Sequence, residues 1–305
     1  MNLLKLNEKN VRKGKPVGLP YVGSKKKVSK KTIEIIKENF GTDKKVYDLF
    51  GGGGAITLEC IIQGLEVHYN EIDENVSGAL QLALDLSFDE IASLMVPRKE
   101  FEKIRDKEHK TPKDTLILLV NSFGNQQNSY LYSKEMSDIK YNLAKDIIKN
   151  HKTFKGYKQT KTYKDFIKNN NLHGLHRLQQ VRVLQLERLQ QLERLQHVTN
   201  KDYKEFAGLK NSIVYLDPPY NNASKRFYDY EDLDWSEFLD FCIKLSKDNI
   251  VLISSYEIND DRFYPVYHFG KSRSAMQSGM HTKKHDKIFM VKDSQGFPGG
   301  YYEYN

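Results

Sequence analysis

Asp217-Pro218-Pro219-Tyr220 places a carboxylate, two proline units and an aromatic ring on consecutive positions. Proline nitrogens carry no proton, so the carbonyls here face no competing donor from those positions. Two acceptors and a stacking ring suit a flat molecule held by its exocyclic amine. The acceptors take the amine hydrogens and the ring covers the plane. Ser212-Ile213-Val214-Tyr215-Leu216 runs into this turn and reads as a buried, β-branched strand. Two prolines stop a strand. The turn therefore leaves the sheet at a carboxyl end, where open α/β sheets bind ligands.

A second chemical stretch is Asp48-Leu49-Phe50-Gly51-Gly52-Gly53-Gly54. It follows a short strand, Lys45 to Phe50, and opens a helix from Ile56 to Gln63. Strand, glycine turn and helix form the first unit of a nucleotide-binding α/β fold, in which glycines let the backbone approach a bound cofactor. The next strand, Glu66 to Asn70, ends in Glu71-Ile72-Asp73. An acid there, roughly twenty residues past the glycines, is placed to accept from ribose hydroxyls. Glu71 is the first candidate and Asp73 a nearby alternative.

The elements around these stretches are ordinary for a globular chain. A helix is predicted over Ser29 to Phe40, with Ser29 as its cap and Ile33, Ile35, Ile36 and Phe40 as its apolar face. Residues 75 to 110 are helical in pattern and broken at Pro97, and Leu116 to Val120 is apolar. Asn121 to Asn128 is a loop rich in amides. Lysines then recur from Lys140 to Lys168, with Tyr141, Phe154, Tyr157, Tyr163 and Phe166 between them. That interleaving suits either a nucleic-acid surface or a solvated helix face. Residues 172–196 are low in complexity, with leucine at 172, 175 and 178 and again at 186, 189, 192 and 195. Their composition favours a helix, although a step of three does not match 3.6 and leaves an extended ladder open. Trp235 to Ser246 reads as an amphipathic helix, Asn249 to Ser255 as a buried strand, and Tyr264 to Phe269 with Lys287 to Val291 as a last pair.

The chain has 305 residues and a formal net charge of +8, a balance that suits a polyanionic partner. Cys60 and Cys242 both lie in apolar runs, as buried thiols of a reducing compartment do, and no disulfide or zinc framework is present in the spacing. No apolar run reaches the ~18 residues of a membrane span, and the Lys/Asn-rich start lacks a signal-peptide core.

Taken together, these motifs resemble the Dam-type, alpha-group DNA adenine-N6 methyltransferases, including phage and orphan members. Asp48 to Gly54 matches the family's Asp-x-Phe-x-Gly-x-Gly turn. Asp217-Pro218-Pro219-Tyr220 matches its catalytic turn, and Tyr21-Val22-Gly23-Ser24-Lys25 is similar to its upstream aromatic-x-Gly-x-Lys element. Val251 to Ser255 resembles the strand after the catalytic helix. The likeness covers about 21–80 and 205–291 and is weaker between. It departs at Glu71, where the family commonly has aspartate.

The resemblance implies a Rossmann-like α/β methyltransferase core with a mainly helical target-recognition insert: 1–97 and 201–305 for the core, 98–200 for the insert. It implies S-adenosylmethionine held by Tyr21, Lys25, Asp48, Phe50, Gly52, Gly54, Glu71 and Asp217. Asp217, Pro218, Pro219 and Tyr220 would act on an adenine flipped out of double-stranded DNA. Asn125 and Gln126 are the candidates for base-edge contacts, and Lys152, Lys155 and Lys158 for phosphates. No metal is expected, and the expected setting is a monomer in the cytoplasm of a bacterial cell or phage-infected host. Cytosine-N4 transfer, which more often has serine at the Asp217 position, protein glutamine methylation and a non-catalytic binding module are the competing readings.

Overall fold

A computed structural model describes residues 2–152, 156–170, 195–219, 233–270 and 285–298, with Leu186, Leu189 and Leu192 between them. The chain divides into two compact units. Met1–Pro16, Lys25–Ile72 and Gln196–Asn305 make the first, and Val17–Ser24 with Asp73–Leu195 make the second. The motifs alone put the boundaries at 97 and 200. The units part earlier, after Ile72 and after Leu195, because the helices that follow Ile72 pack on later helices of the second unit.

Among the described residues, the first unit is built on one seven-stranded sheet. Its strands are β1 (Val46–Asp48), β2 (Val67–Asn70), β3 (Val198–Thr199), β4 (Ile213–Leu216), β5 (Ile250–Ser255), β6 (Phe263–His268) and β7 (Lys287–Val291). They lie in the order β3-β2-β1-β4-β5-β7-β6. The first five are parallel, and β7 runs antiparallel to both neighbours. This is the Rossmann-like methyltransferase arrangement that the motifs imply.

Burial on both faces explains why β4 and β5 read as continuous apolar runs rather than alternating ones. Ile213, Tyr215, Ile250 and Leu252 face one core, together with Ile33, Ile35 and Ile36 of α1 (Ser29–Phe40) and Ile56 and Cys60 of α2 (Ala55–Ile62). Val214, Leu216, Val251 and Ile253 face the other, against Phe238, Leu239 and Cys242 on the last helix of the described residues (Trp235–Leu245). Asp234 caps that helix through the amides of Ser236 and Glu237. Ser29 does not cap α1. It is the first helical residue, fully buried, and Val28 holds the cap position without a side-chain bond.

Six helices of the second unit follow in chain order among the described residues: α3 (Glu74–Asp85), α4 (Phe88–Ser93), α5 (Arg98–Arg105), α6 (Pro112–Asn121), α7 (Ser137–His151) and α8 (Lys161–Asn170). The apolar run at Leu116 lies inside α6, whose start is set by a capping box of Thr111 and Asp114 with Pro112 in the first turn. Leu143 and Ile147 of α7 pack with Tyr163 of α8, and Tyr157 and Phe166 close the cluster. Most of the leucine repeat lies outside the described residues. Leu186 and Leu189 are fully buried, and the Leu189 amide donates to the Leu186 carbonyl and the Leu192 amide to the Leu189 carbonyl, a step of three.

The glycine turn is held from behind. Gly51 donates to the Asn70 carbonyl at 2.9 Å, and the buried Tyr69 hydroxyl donates to the Gly52 carbonyl at 2.7 Å. A Cβ on Gly51 would meet Tyr69 Cε2 at 2.2 Å. The ring cannot retreat without breaking its own hydrogen bond. Gly51→Ala is therefore expected to destabilise the protein by about 1–3 kcal/mol in denaturant unfolding. Gly208→Ala meets nothing within 4 Å and should stay within about 0.5 kcal/mol of the parent. Equal stability of the two variants would show that Tyr69 does not wedge the turn.

Candidate active site

The carboxyl ends of β1, β2 and β4 bring the acidic residues of both motifs to one edge of the sheet. In register, Asp48 lies beside Tyr69 on one side and Tyr215 on the other. Asp217 is therefore the second residue beyond Asp48's level on the neighbouring strand. Its turn leaves the sheet because Pro218 and Pro219 cannot continue the ladder.

Asp48 is 1% exposed, and one carboxylate oxygen accepts from the Thr57 hydroxyl at 2.7 Å and the Thr57 amide at 3.2 Å. Burial pushes its carboxyl up to about 7. The Thr57 hydrogen bonds pull the other way, while the charges of Asp217 and Glu71 add to the rise. Burial is the larger cause, and the neighbouring carboxylates add to it.

Glu71 turns back onto the glycine turn, accepting from the Gly52 amide at 2.8 Å. Gly52 and Gly54 have φ of 47° and 72°, a backbone that favours glycine. Asp73, the alternative acid, caps α3 instead and accepts from the Asn75 and Val76 amides. Phe50 packs its ring near Tyr203 and Phe238. It supports the turn within the apolar layer.

The motif resemblance assigns Lys25 to the cofactor. The structure sets its Nζ at 2.7 Å from Asp217 Oδ1 and 3.9 Å from an Asp286 oxygen. The lysine is 7% exposed. Burial pulls the ammonium down, but Asp217, Asp286 and Tyr215 outweigh it and hold the group above its usual range. The spacing of motifs gives no sign of Asp286. A strand that runs antiparallel starts at the sheet's carboxyl edge, and this is the signal that locates it. Tyr220 lies outside the described residues, so the stacking ring has no described position.

Tyr21 belongs to the second unit, where its carbonyl accepts from the Ser24 amide and the Asn125 side chain. The amide-rich stretch is a closed loop: Ser122 bridges to Tyr130, and Phe123 donates to the Ser129 carbonyl at 2.7 Å. Gly124, Asn125 and Gln127 all have positive φ. Asn121 is not available to a ligand in this arrangement. It is buried, donating to the Leu94 and Ile117 carbonyls and accepting from the Val96 amide. Lys152 and Lys158 are exposed, and Lys155 lies outside the described residues. Tyr157, Tyr163 and Phe166, read as interleaved with the lysines, are packed in the helical core.

Among the described residues no group of three or more His, Cys, Asp or Glu could hold a metal ion, and no helix is long and apolar enough to cross a membrane. The family model described as D12 class N6 adenine-specific DNA methyltransferase matches residues 21–259. No curated protein matches the chain.

Asp48 makes folding sensitive to pH. Its carboxyl titrates near the ordinary value of 3.8 when unfolded and at about 7 when folded. Between those values the folded state holds a proton that the unfolded state releases. Stability from this group is thus present at low pH and falls as pH rises through about 7. Asp48→Asn removes the effect. The stability difference, variant minus parent, should grow between about pH 5 and about pH 8 in denaturant unfolding; a constant difference would show that Asp48 titrates normally.

Proposed function

Since the chain belongs to the D12 class N6 adenine-specific DNA methyltransferases and methylates adenine in DNA, we propose how its residues divide that work, with S-adenosylmethionine as the methyl donor. When bound, this donor supplies an electrophilic methyl group on a cationic sulfonium. The residues at the sheet edge suit it: Gly52 and Gly54 take the positive φ with which a glycine backbone can pass close to a ligand, and the charges of Asp217 and Glu71 beside Asp48 are ones that a cation offsets. Asp48 and Glu71 hold the donor, with Phe50 backing the turn.

An adenine amine is a weak nucleophile because its lone pair is delocalised into the ring. Asp217 and the Pro218 carbonyl accept the two amine hydrogens, which turns the lone pair toward the methyl group. Acceptors fixed where positive charge develops lower the barrier without reorganising. The nitrogen gains a carbon and sheds one proton, which Asp217 takes and passes to solvent. Pro219 completes the turn, and Tyr220 stacks on the base. An adenine inside a duplex cannot reach this turn, so the base is flipped out. Lys25 acts on Asp217: an ammonium at 2.7 Å fixes one carboxylate oxygen and leaves the turn a single orientation.

The second unit reads the DNA in this proposal. Exposed Lys152 and Lys158, with Lys155, meet phosphates, and Asn125 and Gln126 on the strained loop meet base edges. Tyr21 supports that loop through the Asn125 bond. The observation that carries the assignment is the Lys25–Asp217 pair, since it ties the upstream motif to the catalytic turn.

Asp217→Ala should abolish single-turnover methyl transfer even when assayed below its own unfolding midpoint, which should fall because the substitution strands the Lys25 ammonium. Transfer within about tenfold of the parent would remove Asp217 from the reaction. Replacing Lys152, Lys155 and Lys158 by glutamine should weaken binding to every DNA sequence alike. The salt dependence should flatten by about one unit of slope for each phosphate that a lysine no longer neutralises. An unchanged slope would mean that other residues meet the phosphates.

A further inference from the structure

Asp286 lies beyond the segment that the family model matches, yet it reaches the same lysine as the catalytic carboxylate. The sheet delivers it there. β7 pairs antiparallel with β5, with Ser255 opposite Lys287. The residue that precedes β7, Asp286, thus meets the level of Tyr256 just past the carboxyl end of β5. The Asp286 carbonyl accepts from the Phe269 amide at 3.1 Å, so the backbone is fixed at this point. Its side chain is 19% exposed and stands 3.9 Å from Lys25 Nζ.

The charge balance at the turn gives this position a task. Methyl transfer builds positive charge on the amine nitrogen. A lone Asp217 carboxylate favours that charge, but Asp217 paired with the Lys25 ammonium is neutral overall. The cation also draws electron density from the very oxygen it binds. One more carboxylate within reach of the ammonium returns the cluster to a net negative charge. Among the described residues, other charged and titratable groups at this edge include Asp48, Glu71 and Tyr256. Asp48 is partly protonated near neutrality, and Glu71 is bound to the Gly52 amide. Burial raises the Tyr256 hydroxyl, with Asp286 and Asp217 adding to the rise and Lys25 opposing it. It stays neutral.

We propose that Asp286 is a positioning residue for methyl transfer: by sharing the Lys25 ammonium with Asp217, it keeps that lysine in place and restores the negative charge that the developing ammonium on adenine requires. The proposal rests on Asp217 as the amine acceptor. It assigns a role in the transfer step, not in holding the donor or the DNA.

The test is single-turnover methyl transfer at saturating S-adenosylmethionine and DNA, with separate measurements of both dissociation constants. Asp286→Asn keeps the size and the backbone bond and removes the charge. It should slow transfer by about tenfold with both dissociation constants within about twofold of the parent. Asp286→Glu keeps the charge and should recover most of the lost rate. Thermal unfolding accompanies each variant, and Asp286→Ser takes the place of the asparagine variant if that one does not fold. Parental rate in the uncharged variant, a glutamate variant no faster than it, or a loss confined to donor binding would overturn the proposal. Asp217→Ala, measured alongside, separates the two levels: an inactive Asp217 variant beside a normal Asp286 variant removes only this inference.

Discussion

Burying an ammonium group costs several kcal/mol unless carboxylates meet it with good geometry. Lys25 is 7% exposed, and Asp217 meets it at 2.7 Å. Much of the first unit can be understood as the arrangement that keeps those two atoms together. Lys25 lies just ahead of α1, whose Ile33, Ile35 and Ile36 are anchored on the sheet. Asp217 stands at the end of β4, which β1 and β5 fix from either side. The pair has no slack, because both backbones are set by burial elsewhere. In the proposed mechanism this gives the carboxylate one orientation before any ligand arrives, which is the preorganisation that electrostatic catalysis depends on.

The same edge shows why the glycine turn and its acids are built as they are. Asp48 and Glu71 are both buried, and Asp48 accepts from Thr57 in the first turn of α2 while Glu71 accepts from Gly52 in the glycine turn. Their charges oppose one another and oppose Asp217, which is the cause of the raised Asp48 carboxyl after burial. Such crowding of carboxylates works against folding and favours a cationic ligand. It is a local conflict of the kind found at functional sites.

What the sequence made legible follows from the range of each signal. Glycine runs, paired prolines and β-branched stretches act on their own few residues, so the turn after β1, the turn after β4 and the strands around them could be placed from the letters alone. The partner of a buried charge is a matter of tertiary geometry. Lys25 was readable as part of an upstream motif, but its pairing with Asp217 depends on how α1 and β4 meet the sheet. Asp286 was silent because it depends on the direction of β7. Other signals were present and unread: Thr111, Pro112 and Asp114 mark the start of α6 by their capping box, where the short apolar run alone is ambiguous between helix and strand. Around α7 and α8, Tyr157, Tyr163 and Phe166 pack in the helical core, a place that neither a nucleic-acid surface nor a solvated helix face describes. Asn121 illustrates the converse, a polar residue in an amide-rich stretch that serves the backbone of its own helix end.

A double-mutant cycle on Lys25 and Asp217, followed by denaturant unfolding, tests most directly the claim that this pair organises the site. Removing one partner of a buried pair strands the other charge, and Lys25→Met should destabilise the protein by about 3 kcal/mol. Lys25→Met combined with Asp217→Asn leaves only Asp286 without the cation, at 3.9 Å and 19% exposed, and should recover most of that loss, giving a large coupling energy. Additive effects, or a Lys25→Met variant as stable as the parent, would contradict the account.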